Sequence, residues 1–128
     1  MSYKYVSGDL KIATTDTLAI TRTDVAHDFA SGDTVTANGN RGVLQLTLSA
    51  NLANSSAKSF TFSNDQITTT SGLFLSPFGA TGPATGGYGV FMSIAAQGSG
   101  TASIGLLNLS GAQIDDDDII FINYLIIE

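Results

Sequence analysis

Ile119-Ile120-Phe121-Ile122-Asn123-Tyr124-Leu125-Ile126-Ile127 is the stretch on which the fold turns. A strand points successive side chains to opposite faces. Ile120, Ile122, Tyr124 and Ile126 therefore form one face, and Ile119, Phe121, Asn123, Leu125 and Ile127 form the other. Nine residues rich in β-branched and aromatic types favour a strand, and they are far too few for a membrane helix, which needs about 20. A sandwich strand normally shows one face to the core and one to water. This one is apolar on both, with a single amide on the second face. Leaving a large aliphatic or aromatic side chain wet forgoes roughly 1.5–3 kcal/mol. The face of Ile119, Phe121, Asn123, Leu125 and Ile127 is thus expected to be covered, by another copy of the chain or by the chain's own N-terminal segment. Asn123 favours the copy, because a lone amide can hydrogen-bond its symmetry mates and fix register.

Upstream of this stretch the pattern stays β. Val43 to Ser49 alternates, with Leu44, Leu46 and Leu48 on one face. Lys58 to Ser63 alternates with Phe60 and Phe62 inward. Leu73 to Leu75 opens a short strand that Pro77 is expected to end. Tyr88 to Ala96 places Tyr88, Val90, Met92 and Ile94 on one face, and Ala102 to Leu109 follows the turn Gln97 to Gly100. Turn signals recur every 10–15 residues or so, which predicts an all-β antiparallel sandwich or barrel. Ser, Thr, Gly and Asn make up 50 of the 128 residues, a composition of strands and turns. The only weak helical window is residues 50–58, where a loop fits as well. Residues 1–40 carry short β-prone pieces and little apolar mass. They are expected to be an arm or edge strands, with residues 41–128 as the sandwich.

Composition bounds the function. A chain of 128 residues is one domain's worth of polymer. With 43% apolar and 12% charged residues it is not a charge-solubilised disordered chain. The absence of Cys excludes disulfides, thiol nucleophiles and Cys-ligated zinc. The net charge is −6, and all five basic residues lie within residues 1–58. The acidic second half argues against nucleic acid and anionic membrane surfaces as partners. Residues 1–20 hold no apolar run that could serve as a secretory core, so a cytosolic origin is expected.

Each candidate chemistry has a plainer reading. His27, the one imidazole, sits beside Asp28 with Ser31 following, but a catalytic triad is a matter of geometry on a scaffold, and a structural His is expected. Asp115 to Asp118 could bind a cation such as calcium. The alternate spacing of a calcium loop is missing, and a solvated turn leading into the last strand is the simpler reading. Gly86-Gly87-Tyr88-Gly89 and Gly98-Ser99-Gly100 lack the Gly-Lys-Ser/Thr of a phosphate cradle. Phe60, Phe62, Phe74 and Phe91 are expected in the core. Tyr88, in the Gly79–Gly89 loop with Phe78 nearby, is the one aromatic platform suited to a sugar. No catalytic residue, cofactor or metal is assigned.

Several stretches carry a likeness. They are Gly42-Val43-Leu44-Gln45-Leu46-Thr47, Ser59-Phe60-Thr61-Phe62-Ser63-Asn64, Tyr88-Gly89-Val90-Phe91-Met92, Gly98 to Ile104, Leu107-Asn108-Leu109-Ser110-Gly111 and the closing strand. In this order, residues 42–128 resemble a small β-module of tailed-bacteriophage virion structural proteins, particularly marine and cyanobacterial ones, of the capsid decoration or cement type. Leu107 stands where the pattern usually has Arg, and the Asp run replaces a Ser-Leu-Ser-Glu-Ala-like segment. Family roles at those positions are therefore not carried over. The resemblance implies a jelly-roll-like sandwich that trimerises, binds the outer surface of the major capsid protein and resides on the virion exterior. Tyr3, Lys4, Tyr5, Lys11 and Arg22 would then belong to a capsid-contacting arm. A tail-fibre tip touching host polysaccharide is the alternative, and an enzyme using paired carboxylates is a third class that no spacing supports.

Overall fold

The computed structural model describes residues 22–81 and 89–127, together with the backbone of residues 4–6 and 9–11. Strands β1 (Lys4–Val6) and β2 (Asp9–Lys11) pair antiparallel as a separate two-stranded ribbon. Eight further strands follow: β3 (Val25–Phe29), β4 (Thr34–Thr36), β5 (Arg41–Leu48), β6 (Ala57–Ser63), β7 (Gly72–Ala80), β8 (Val90–Gln97), β9 (Thr101–Asn108) and β10 (Ile119–Ile127). They form two four-stranded sheets. The first has the order β3-β5-β10-β7 and the second β4-β6-β9-β8. The described residues contain no helix, hence none long and apolar enough to cross a membrane. The weak helical window resolves into a bridge from Leu52 to Ile114 and a tight turn at 53–56.

The chain is an all-β sandwich, and it is antiparallel-rich rather than wholly antiparallel. β5–β10–β7 and β6–β9–β8 pair antiparallel. The edge pairs β3–β5 and β4–β6 are parallel. The reason is the route of the chain. From β3 to β8 it crosses to the other sheet at every connection, so β5 returns beside β3 in the same direction and β6 beside β4. Phe29 on β3 and Val35 on β4 are completely buried in the shared core, so both edge strands belong to the sandwich.

Alternation builds that core. Leu44, Leu46 and Leu48 of β5 and Ile120, Ile122, Tyr124 and Ile126 of β10 face Phe60 and Phe62 of β6 and Ile104 and Leu106 of β9. Edge-to-face ring pairs tie the layers: Phe29 to Phe60 at 5.7 Å and Phe62 to Tyr124 at 5.1 Å. The buried Tyr124 donates its hydroxyl to the Thr23 carbonyl at 2.8 Å. Burial, and then the charge of Asp24, raise its phenol pKa, so it remains a neutral donor. Residue 42 must be glycine for this crossing. A Cβ there would lie 1.8 Å from the Thr23 oxygen.

Three expectations are corrected. Pro77 does not end its strand: β7 continues to Ala80, with a register shift where Pro77 meets Ile122. β7 is an edge strand, where a missing N–H and a bulge are tolerated. Phe74 and Phe91 are not core residues but exposed ones. Leu73 and Leu75 take the inward positions around Phe74, and Val90 and Met92 take those around Phe91. Ile94 shares the inward phase of Met92, yet it is exposed because β8 is the open edge of its sheet.

Two fully buried asparagines lock opposite ends of the sandwich. Asn64, just past β6, donates to the carbonyls of Ala37 and Gly39 and accepts from the Gln66 amide at 2.8 Å. Asn108, at the end of β9, donates to the Leu52 (2.9 Å) and Ala112 (2.8 Å) carbonyls and accepts from Ser110 N and Oγ. Each amide makes an Asx turn of its own strand end and ties down a neighbouring loop. Asn108→Ala strands two carbonyl acceptors and is expected to lower the unfolding free energy by about 2–4 kcal/mol. Urea denaturation measures this, as a fall in midpoint at an unchanged slope.

Candidate functional site

β10 lies inside the first sheet, between β5 and β7. Its inward residues are core, so Ile119, Phe121, Asn123, Leu125 and Ile127 necessarily point to the outer surface. Register places them beside outward residues of β7. Leu125 lies opposite Phe74, Asn123 opposite Ser76, and Phe121 opposite Gly79. On the other flank Asn123 lies opposite Val43 and Leu125 opposite Arg41. The Phe78 ring leans on Phe121 with centroids 5.8 Å apart. Phe121 is thereby half-covered, and Ile119 is also only partly exposed. The rest of the stripe is open: Phe74 is 57% exposed, Phe78 49%, Leu125 40% and Ile127 51%.

Two hollows flank Leu125 and Asn123. One, of about 520 Å³, runs along the open side of the sandwich between β7 and β8 and is lined by Phe74, Leu75, Met92, Ile94, Asn123 and Leu125. The other, of about 300 Å³, lies toward Arg22, Arg41 and Val43. The carboxamide of Asn123 is exposed and hydrogen-bonds to none of the described residues. It can donate two bonds and accept two. No charged residue occurs anywhere from 66 to 114, so β7, β8 and β9 are entirely neutral.

The other sequence-singled residues are placed as follows. Arg22 is exposed and forks onto Asp24, at 3.1 Å to each carboxylate oxygen. That bond, aided by the Val43 amide, holds the Asp24 carboxyl below its ordinary pKa. Lys4, Tyr5 and Lys11 fall on β1 and β2, whose side chains lie outside the described residues, as do Tyr3 and Tyr88. The structure therefore groups the five β10 residues on one face and places Arg22 at the hollow beside Asn123 and Leu125; the other arm side chains lie outside the described residues.

His27 does not use Asp28, which points away on the opposite face of β3. Its Nε2 lies 3.2 Å from Asp33 Oδ2, and the same oxygen accepts from the Ala30 amide at 2.9 Å. Ser31 is engaged elsewhere, accepting from the Ser59 amide at 3.3 Å. This is a turn clamp between β3 and β4. The Asp run is likewise a turn. Asp118 accepts from Thr81 Oγ1 (3.0 Å) and from the Asp115 amide (3.2 Å), Asp115 accepts from Gln113, and Asp117 adopts φ 65°. Among the described residues no three acidic or imidazole groups converge as a metal site.

Phe74 and Phe78 are the residues of this face that the sequence reading assigns elsewhere, Phe74 to the core and Phe78 beside Tyr88. The signal was present in Leu73-Phe74-Leu75, apolar on both faces just as β10 is. Two adjacent strands that are apolar on both faces share an outer face. No family model matches the chain, nor does any curated protein or solved structure.

The Ala30 amide and then His27 depress the Asp33 carboxyl pKa. A depressed carboxyl stabilises the fold above its unfolded pKa, near 3.9, and that stabilisation is lost as pH falls through the folded value. The stability gap between the parent and Asp33→Asn should be largest near neutrality and close on acidification below pH ~4. Chemical denaturation across pH 2–7 measures it, and a gap constant across the series contradicts the clamp.

Proposed function

We propose that the chain is a non-enzymatic assembly protein, a virion decoration subunit that trimerises through the outer face of the first sheet and binds the exterior of a capsid shell. The observation that carries this reading is the aromatic and aliphatic stripe of Phe74, Phe78, Leu125 and Ile127 on a face that the core does not use. Each of these side chains is about half exposed. Covering all four is worth roughly 3–6 kcal/mol per subunit at the usual yield for apolar burial. Monomers rarely keep such a contiguous patch open.

A second copy is the natural cover. The stripe is uncharged, and Asn123 at its centre has a free amide that can pair with the same residue of a neighbour. Closed rotational symmetry repeats such a contact without leaving a raw edge. The uncharged β7 beside β10 suits subunit packing, while the acidic turn at 115–118 remains hydrated outside it. The likeness of residues 42–128 to phage decoration modules supplies the virion setting. There Lys4, Lys11 and Arg22, with Tyr3 and Tyr5, give the N-terminal part the cationic and aromatic groups that a shell contact would use. Many such contacts reinforce a shell through avidity, even where each is weak.

The subunit of 13.2 kDa is expected to sediment at about 40 kDa as a closed trimer. Leu125→Asp, on the exposed face, should return it to the single-chain mass with an unchanged circular dichroism spectrum. A parent protein that sediments as a folded single chain overturns the reading. In purified virions hundreds of copies per particle are expected, and a dozen or so would contradict decoration.

A further inference from the structure

The second sheet shows solvent the opposite kind of face. Several of its outward positions carry small hydroxyl side chains, in register on neighbouring strands. Thr34, Thr61 and Ser103 form one row over β4, β6 and β9. Ser59 and Ser93 flank Gly105 in the next row. At the end of the face Phe91 lies opposite Leu107, and Phe91 is 55% exposed. Gly105 lies between the Phe91–Leu107 pair and the Thr61–Ser103 row, with Ser93 Oγ 2.7 Å from where a Cβ would stand. None of its described outward residues is charged.

The chain is 12% charged, and among the described residues none of those charges stands on this face. We infer that this hydroxyl face is a binding surface for a neutral glycan. The chemistry is reciprocal. Each Ser or Thr hydroxyl donates one bond and accepts two, as each sugar hydroxyl does. The side chains are short, so ordering them loses little rotamer freedom. The strands hold them about 4.8 Å apart across the sheet and about 6.7 Å apart along it. Phe91 with Leu107 offers the C–H face of a pyranose ring an apolar rest beside those hydroxyls. Charge sets the class of glycan: with no cation on the face and an acidic protein around it, an anionic polymer is repelled. This face lies on the other sheet from the self-association stripe and meets it only at Ser93, which also lines the hollow beside Leu125; neither reading depends on the other.

Native affinity electrophoresis of the full chain through gels containing dextran, galactomannan, mixed-linkage β-glucan or alginate tests it. Retardation is expected in at least one neutral gel and not in alginate. Ser103→Lys, which places a charge in the Thr61 row, and Phe91→Ala should each weaken that retardation about tenfold. Asp116→Asn, on the exposed acidic turn, should leave the affinity unchanged, and thermal melts verify that all variants fold. The inference is overturned by no retardation in any neutral gel, by retardation in alginate alone, or by a Ser103→Lys protein that binds as the parent does. It is equally overturned if Ser103→Lys lowers the sedimenting mass, since the face would then join copies of the chain.

Discussion

A strand that is apolar on both faces forgoes free energy wherever either face stays wet. β10 sits inside the first sheet with Ile120, Ile122, Tyr124 and Ile126 in the core, and one sandwich has only one core to offer. The rest of the arrangement follows from that constraint. β5 and β7 flank β10 and pair most of its backbone, β7 adds Phe74 and Phe78 to the outer stripe, and the outer face stays apolar where the second sheet's carries hydroxyls. The protein has two broad faces of different chemistry: one suited to excluding water against a copy of itself, the other suited to exchanging hydrogen bonds.

What holds the two sheets in place is concentrated at their ends. A chain that crosses between layers at nearly every connection leaves many loop carbonyls near the core, where an unmet acceptor is expensive. Asn64 and Asn108 meet this need at opposite ends. Tyr124 does so for the segment entering β3, whose Thr23 carbonyl fits only because residue 42 lacks a side chain. The His27–Asp33 contact fastens the β3–β4 turn. Among the described residues, His27, Asp33, Asp115 and Asp118 are thus engaged in turns and corners.

Much of this was legible in the sequence, and the exceptions have physical reasons. Strict alternation in Val43–Ser49 and Lys58–Ser63 gave both the strands and their inward faces. Alternation cannot phase Leu73-Phe74-Leu75, where either face could be the core, so Phe74 was placed inside. Pro77 reads as a stop only if its strand is central, and edge position is set by tertiary pairing. The parallel pairings β3–β5 and β4–β6 leave no trace in periodicity, because direction depends on which sheet the chain re-enters. Alternation groups Ile119, Phe121, Asn123, Leu125 and Ile127 on one face of β10, and the structure turns that face outward. Its partner strand was missed because Phe78 meets Phe121 through a bulge that no local pattern announces.

Phe74 and Phe91 provide an internal comparison for the central claim that copies of the chain cover the stripe. In a single subunit they are almost equally exposed, at 57% and 55%, but they lie on opposite faces. Hydroxyl-radical footprinting of the purified protein, read residue by residue by mass spectrometry, compares them in one sample. Phe74 and Phe78 should oxidise much more slowly than Phe91. Oxidation of Phe74 at the rate of Phe91 would show that nothing covers the stripe and would contradict the account.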